Sequence, residues 1–268
     1  APRLPNPRPV ALFTRPALTS HTATSTVSFL AMAALVAVGF LGDRDPLANP
    51  LPLVVWTVLW GALPVACALF GNLWRGWDPW TAPARLIRRA FGLSGGVGLA
   101  RLGHLPAIAG FFGLVWFQNV SLAPDDPAIL ARAVLCYWLA ILILTVFEGE
   151  AWLERGEALS VLYALAARVA PLWAEPAGAR IRQMAGPPGT QILALPPLSP
   201  GLAAFLALLL ASVTFDGLSE TFWWLARLGL NPLEFPGRSA VATQNTLGLL
   251  AAWVLTGAAL FGAIAAAR

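Results

Sequence analysis

The sequence predicts an all-α fold, a polytopic membrane bundle of about six transmembrane helices with one or two interfacial helices. Of the 268 residues, 58% are hydrophobic and only 11% are charged, whereas soluble domains are about 25% charged. This composition argues against a soluble globular enzyme. Apolar blocks of about 20 residues, the length that crosses a bilayer, recur along the whole chain. We therefore expect residues 1–268 to form a single membrane domain.

Six blocks meet or approach the length and apolarity of spans. A Ser/Thr-rich segment that can cap a helix precedes the first block, and the second carries no charge between Asp45 and Arg75. The short turn at 123–127 joins the third and fourth blocks, so these two must form an antiparallel hairpin. The predicted spans, in chain order, are about 23–42, 51–71, 105–122, 127–147, 199–215 and 245–267.

Two further apolar stretches are too short or too charged to be assigned as spans. Only ten uncharged residues separate Glu157 from Arg168, so residues 158–173 are predicted to form an interfacial amphipathic helix or a re-entrant segment. A crossing at this point would reverse the topology of everything after it. Residues 219–230 place aromatic side chains beside Glu220 and Arg227, which predicts a helix lying on the membrane surface.

The arginines orient the bundle. All 17 basic residues are Arg, and positive charge is retained on the cytoplasmic side of a membrane. The sequence therefore predicts a multi-pass protein of a bacterial inner membrane with its N-terminus in the cytoplasm. Because the chain begins with Ala1 and stops directly after an apolar block, we also expect it to come from a longer product. The arginines that this orientation places inside are Arg3, Arg8, Arg15, Arg75, Arg85, Arg88, Arg89, Arg101, Arg155, Arg168, Arg180, Arg182 and Arg268.

Ionisable residues near the span ends are candidates for function, because charge at bilayer depth is costly. Asp216 ends the fifth span and Glu220 follows one turn later, so the pair could hold a cation or share a proton. The two carboxylates could equally cap and solvate the loop. Arg132 lies about one turn inside the fourth span, and we expect it to snorkel to Asp125 or Asp126.

An acidic group follows the fourth span. It contains Glu148, Glu150, Glu154 and Glu157. In a continuous helix the last three would share one face, where like charges repel unless a partner neutralises them. The arginines between residues 75 and 101 are the expected partners. This group is either a solvated face or a site for a cation or a proton.

Tryptophans near the predicted span ends indicate contacts with lipid head groups. The chain has 12 Trp, and an indole ring is favoured at the membrane interface because one part is apolar and its N–H is polar. The predicted lipid and interface anchors are Trp74, Arg75, Trp77, Trp80, Trp223 and Trp224.

Neither a cofactor nor a metal site is predicted. Cys67 and Cys136 lie in apolar blocks without a CxxC motif and are interpreted as packing residues. His21 and His104 stand in unrelated contexts without the spacing of metal ligands. The arginines form no stripe with interleaved aromatics, so no nucleic-acid partner is expected. The Gly-rich segment 92–98 lacks the ending of a phosphate loop and is interpreted as a flexible connector.

Several short motifs are spread over about 50–260, namely Phe70-Gly71-Asn72-Leu73-Trp74, Asp78-Pro79-Trp80, Leu162-Tyr163, Arg168-Val169-Ala170-Pro171 and Thr214-Phe215-Asp216-Gly217. Together they resemble a family of bacterial multi-pass membrane proteins labelled fenitrothion hydrolase. The resemblance implies hydrolysis of an organophosphate ester, and it implies a longer chain at both ends. It assigns no nucleophile or metal ligand in this sequence.

The residues favour a non-redox membrane subunit or scaffold that packs against protein partners and lipids. Small-residue surfaces such as 110–113, and Ala258 with Gly262, would allow close approach of another helix. One alternative is the membrane-embedded organophosphate hydrolase that the resemblance implies. Another is a small-solute or ion carrier that uses Asp216 and Glu220. The expected partners are membrane lipids and a protein in a larger membrane complex.

Overall fold

In a computed structural model, the chain is described over residues 9–16, 21–178, 180–234 and 237–266. Helices account for most of these residues, which confirms the all-α class. Arg3, Arg8, Arg268 and residue 267 of the sixth predicted span lie outside them. The elements are β1 (Val10–Pro16), α1 (Thr22–Leu41), α2 (Pro50–Phe70), α3 (Thr81–Ala90), α4 (Leu105–Val120), α5 (Pro127–Glu148), α6 (Ala158–Ala166), β2 (Leu172–Ala177), β3 (Arg180–Ala185), α7 (Pro200–Ser219), α8 (Phe222–Arg227) and α9 (Ala242–Ala266).

In the described part of the chain, five helical stretches are long and apolar enough to cross a membrane. They are α1, α2, α5, α7 and the stretch Arg238–Ala266 that contains α9, each with 20 to 29 residues. Their bounds agree with five of the predicted spans to within a few residues, except that α7 continues to Ser219 and the last stretch starts earlier, at Arg238. The predicted span at 105–122 corresponds to α4, which has 16 residues and is shorter than the others. It ends at Val120 because Ser121 leaves the helical conformation.

The contacts of the chain define two compact units. The first contains Ala1–Arg101 and Asp125–Pro197, and the second contains Leu102–Pro124 and Leu198–Arg268. Each unit buries its own apolar core. They are described separately below.

In the first unit, α1 and α5 pack against each other in opposite directions. Gly39 lies at their contact, because a Cβ added there would stand 2.8 Å from the Cβ of Ala131. Asp126 caps α5 by accepting hydrogen bonds from the backbone N–H of Ala128 and Ile129. It also pairs with Arg44 at 2.9 Å, and these contacts, above all the Ile129 N–H, lower the pKa of Asp126. We call this end of the unit, where α1 stops and α5 starts, the Leu41 end, and the opposite end the Thr22 end.

A three-stranded antiparallel sheet in the order β1-β3-β2 belongs to the first unit. Gly71, directly after α2, packs against the carbonyl of Leu172 in β2, so the sheet lies at the Thr22 end. No pattern in the sequence predicts these strands. Pro16 and Pro176 lie within them, and proline within a run argues against a strand. The strands are also short, with 7, 6 and 6 residues.

The segment containing α6 starts and ends at the same end of the first unit. It is preceded by Glu150, which contacts Arg85 at the Thr22 end, and it is followed by β2 in the sheet at that end. This segment therefore enters and leaves the first unit at the same end and does not cross it. The predicted helix at 158–173 was too long, because helical structure stops at Val169, Pro171 cannot continue it, and the following residues belong to β2.

The middle of α2 is wound as a π-helix over Leu53–Ala62. In a π-helix the backbone N–H bonds to a carbonyl five residues back, and such segments are frequent at functional sites. The winding leaves the carbonyl of Leu59 close enough to accept a hydrogen bond of 2.7 Å from the hydroxyl of Tyr163 on α6. No pattern in the sequence indicated this.

In the second unit, α7 and α9 form the main helix pair, and α4 packs with both. Phe111 of α4 lies against Phe205 of α7, with ring centroids 4.9 Å apart, so the predicted small-residue surface at 110–113 is partly used inside the unit. The short helix α8 confirms a helix within the predicted range 219–230, over Phe222–Arg227 only. Thr221 caps it by accepting a hydrogen bond from the N–H of Trp224.

Candidate functional site

The buried carboxyl group of Glu157 is the strongest candidate for a functional group. Its side chain has 0% exposure, and it caps α6 by accepting hydrogen bonds from the N–H of Leu159 at 2.8 Å and of Ser160 at 2.6 Å. The hydroxyl of Tyr137 donates a third, short hydrogen bond to it. Buried acids are rare in proteins unless they are paired or hydrogen-bonded in this way.

Glu157 lies deep within the first unit. Tyr137 is midway along the 22 residues of α5, a helix long enough to cross a membrane. At a rise of about 1.5 Å per residue, Tyr137 is roughly 16 Å from the end of α5. Because Glu157 accepts a hydrogen bond from Tyr137, its carboxyl group lies level with the middle of this helix. The chain from 149 to 157 therefore descends into the bundle, and α6 returns, as in a re-entrant segment.

Aromatic side chains surround this carboxyl group. The ring of Trp74 lies 5.2 Å from that of Tyr163 and 6.1 Å from that of Trp80, and Trp80 lies 6.3 Å from Tyr137. The indole N–H of Trp80 donates to the carbonyl of Trp138 on α5 at 3.0 Å. We call Glu157, Tyr137, Tyr163, Trp74 and Trp80 the Glu157 site.

Opposing effects act on the protonation of Glu157. Burial disfavours the ionised form and raises the pKa of Glu157, while hydrogen bonds from Tyr137, Ser160 and Leu159 act in the opposite direction. Three donors can thus hold the ionised carboxylate, and burial stabilises the neutral acid. The surroundings therefore accommodate both protonation states of this group.

Buried indole N–H groups without a partner lie near the Glu157 site. Those of Trp74, Trp138 and Trp152 make no hydrogen bond to the described residues, although each side chain is at most 6% exposed. Trp74 belongs to the site, Trp138 follows Tyr137, and the ring of Trp152 lies against Gly156. Buried donors of this kind are usually satisfied by internal water.

Polar side chains connect the site region to the Thr22 end. Asp78 is 6% exposed and accepts hydrogen bonds from the N–H of Trp80 and Thr81 at 3.1 and 2.7 Å. Burial raises the pKa of Asp78 despite these bonds. Arg85 on α3 holds Glu150 through two hydrogen bonds of 2.5 and 2.8 Å, and this pairing raises the pKa of Arg85.

The predicted acidic group is separated by the structure into different roles. Glu148 accepts three hydrogen bonds from the backbone N–H groups of residues 98–100, so the end of the Gly-rich segment is held in place. Glu150 pairs with Arg85, and Glu154 pairs with Arg75 at 3.0 Å, in agreement with the expected arginine partners. The three glutamates Glu150, Glu154 and Glu157 do not share one face of a continuous helix, because Glu157 lies in extended backbone between two helical segments.

Asp216, Glu220 and Arg132 are not brought to the Glu157 site. Asp216 and Glu220 are exposed near the end of α7 in the second unit, and their use by a carrier stays a prediction. Arg132 is exposed on α5 and forms no ion pair among the residues that the structure describes. The expected pair of Arg132 with Asp126 was wrong, because Arg44 occupies this carboxylate.

Two of the predicted interface anchors are interior residues. Trp74 and Trp80 are 6% and 2% exposed, because the segment that carries them folds into the bundle and packs against Tyr163 and Tyr137. Trp224 donates a hydrogen bond to Asn245 at 2.9 Å and packs within the second unit. The remaining anchor predictions were Trp77 and Trp223, which are 51% and 57% exposed, and Arg75, which pairs with Glu154.

In the sequence, Glu157 looks like one member of the acidic group, and its separate role is not evident. One local signal was present, since a Glu directly before an apolar helical run can act as a cap. Its burial depends on the distant residues Tyr137, Trp74 and Trp80, and no local pattern encodes that. Across the described part of the chain, no three His, Cys, Asp or Glu side chains are grouped so that they could hold a metal ion.

Comparison with protein-family models, curated proteins and solved structures finds no match to this chain. The resemblance to the fenitrothion hydrolase family therefore stays a prediction.

Proposed function

We propose that this protein is a membrane carrier that binds and releases protons at Glu157. The observation that supports this proposal is the complete burial of a carboxyl group at mid-depth in the first unit. An ionisable group within a membrane bundle is costly, and such groups are a recurring feature of proton and ion pathways. This proposal replaces Asp216 and Glu220 with Glu157 as the group that carries the ion.

A proton suits the Glu157 site better than a metal cation. The carboxyl oxygens are contacted by the hydroxyls of Tyr137 and Ser160 and by the backbone N–H groups of Leu159 and Ser160. A metal ion needs several oxygen ligands, whereas two of these four contacts are N–H groups, which offer no lone pair to a cation. In the bound state the proton sits on a carboxyl oxygen of Glu157, and on release it leaves the carboxylate held by these hydrogen bonds.

The Thr22 end is proposed to face the cytoplasm of a bacterial cell. Arg75, Arg85, Arg88 and Arg89 belong to the segments at this end, while Arg44 lies at the Leu41 end. Retention of positive charge in the cytoplasm then favours this orientation. It places the N-terminus inside, as the sequence predicts.

Proton uptake into proteoliposomes tests the carrier proposal. A potassium diffusion potential drives protons inward, and a pH-sensitive dye inside the vesicles reports their arrival. We expect Glu157→Gln to slow this uptake about a hundredfold, the usual contribution of a positioned proton-transfer group. The matched variant Asp216→Asn should retain the wild-type rate. Wild-type uptake equal to that of protein-free vesicles, or unchanged uptake in Glu157→Gln, would overturn the proposal.

A second candidate, the membrane subunit or scaffold, is favoured by the second half of α9. Asn245 and Leu249 in its first half are buried, whereas Val254 and Leu255 are 66% and 69% exposed. A Cβ added at Gly262 would meet nothing within 4 Å. A helix of a protein partner in the bilayer could approach this surface closely.

Purification in mild detergent tests the subunit candidate. We expect a stoichiometric protein partner that is lost on Gly262→Ile, because the larger side chain blocks the close approach of a helix. Gly217→Ile on α7, where the added side chain also meets open space, should keep the partner. A monodisperse wild-type monomer would contradict a subunit role.

A further inference from the structure

We infer that, in this conformation, Glu157 exchanges its proton with the Thr22 end of the first unit only, through Asp78 and Glu150, as one of the two states between which a carrier alternates. This inference rests on the proposed carrier function and adds the direction of access to it. It is carried by the uneven distribution of buried polar groups along the first unit. Buried polar side chains lie between Glu157 and the Thr22 end, whereas the core between Glu157 and the Leu41 end is apolar.

Toward the Thr22 end, buried polar side chains follow one another. Thr145 lies in the last turn of α5 and Ser25 in the first turns of α1. The hydroxyl of Ser25 accepts a hydrogen bond of 2.9 Å from the N–H of Ala82, which places the start of α3 at the same level. Asp78 and Thr81 are joined there by a hydrogen bond of 3.0 Å between their side chains. Beyond them, Glu150 is 43% exposed at the surface.

Toward the Leu41 end, the described core is apolar. Leu51, Leu130 and Ala131 are at most 1% exposed, and Leu51 and Ala131 fill the space beside Gly39. Asn49 is the one buried polar side chain that the structure describes on this side. Its amide donates to the carbonyls of Val38 and Asp43 and its oxygen caps α2, so it is fully engaged. Among the described buried side chains, none between this end and Glu157 can take up a proton.

The titratable groups around Glu157 come from each element that packs near it. Tyr137 on α5 and Tyr163 on α6 interact with Glu157 directly, and Cys67 on α2 lies beside Tyr163. Asp78 before α3 interacts with Glu150 and with the guanidinium of Arg85, which lie between it and the surface. Tyrosine and cysteine keep their protons at neutral pH when they are buried. The two carboxyl groups, Asp78 and Glu157, therefore remain as the groups that can change charge.

The transfer step balances without a further reactant. An O–H bond of the Asp78 carboxylic acid breaks and an O–H bond forms on a carboxylate oxygen of Glu157. Glu150 then takes a proton from a hydronium ion at the surface, which becomes water, and passes this proton to the Asp78 carboxylate. The unpartnered indole N–H groups of Trp74 and Trp152 can hold the water molecules that carry the proton between the two carboxyl groups. The short helical segment of Trp152 runs from Glu150 toward Glu157, which places this donor along the route.

Infrared spectroscopy of the full chain in lipid vesicles tests the direction of access. The carbonyl band of the protonated Glu157 carboxyl group is the one lost in Glu157→Gln, and its shift in D₂O reports proton exchange. We expect Asp78→Asn to slow this exchange about a hundredfold. Glu150→Gln, which leaves intact the hydrogen bonds from the N–H groups of Trp80 and Thr81 to Asp78, should slow it less. Asp125→Asn at the Leu41 end should exchange at the wild-type rate.

The outcomes separate the inference from the proposed function. Wild-type exchange rates in both Asp78→Asn and Glu150→Gln would overturn the route, even if proton uptake still depends on Glu157. Slow exchange in Asp125→Asn would overturn the one-sided access. Absence of any band that depends on Glu157 would overturn the carrier function itself.

Discussion

Replacing Glu157 with alanine is expected to lower the free energy of unfolding by about 3 kcal/mol, the sum of about 1 kcal/mol for the lost cap and about 2 kcal/mol for buried groups left without a partner. The N–H groups of Leu159 and Ser160 and the hydroxyl of Tyr137 all lose their acceptor. Reversible unfolding by denaturant in detergent micelles measures this change.

Glu157→Gln is the control, because its side chain has the same length and keeps one acceptor oxygen. It should lose about 1 kcal/mol, because the amide oxygen replaces most of the hydrogen bonds. Equal losses in Glu157→Ala and Glu157→Gln would contradict the assigned contacts. A loss of only a few tenths of a kcal/mol in Glu157→Ala would show that the carboxyl group is not buried as described.

The wild type and Glu157→Gln should differ in how the free energy of unfolding depends on pH. The folded pKa of Glu157 is raised by burial, so the folded state holds its proton at pH values where the unfolded chain has released it. The free energy of unfolding of the wild type should therefore fall as the pH rises from the ordinary range of a glutamic acid toward the raised pKa. Glu157→Gln should lack this contribution, and parallel pH profiles would contradict it.

Adding one methyl group at Gly156 is expected to destabilise the first unit by about 3 kcal/mol, the upper range for overpacking a core. A Cβ there would overlap the five- and six-membered rings of Trp152, and this buried ring is 4% exposed with little room to move. The movement of the chain that relieves this overlap would also displace the neighbouring Glu157. We therefore expect Gly156→Ala to lose both stability and proton uptake, although no polar group is removed.

Gly113→Ala is the matched control on a helix with open space beside the glycine. A Cβ at this position meets nothing within 4 Å, so alanine should be neutral or raise the free energy of unfolding by up to about 1 kcal/mol through its better helix propensity. The same unfolding measurement compares the two variants. Similar effects of Gly156→Ala and Gly113→Ala would show that Trp152 does not pack against Gly156.

Local sequence determined the helices that are long enough to cross a membrane. The apolar length of a span and its caps are properties of neighbouring residues, so residues 127–148 could be predicted from the run that follows Asp126 and Pro127. The pairing of Glu150 and Glu154 with arginines could also be anticipated, because opposite charges of adjacent loops attract each other. The strands were missed because their prolines and charges hide any alternating pattern.

Tertiary structure alone decided where the polar groups of these segments lie. A tryptophan near a span end is expected at the membrane interface, yet Trp74 and Trp80 lie in the interior, because a descending loop carries them into the bundle. Glu157 has the local pattern of a surface acid, yet it is fully buried beside Tyr137, 20 residues away in the chain. Hydropathy and charge along the sequence therefore determined that this protein is a membrane bundle. Long-range packing determined which carboxyl group lies inside it, because burial depends on contacts between residues that are distant in sequence.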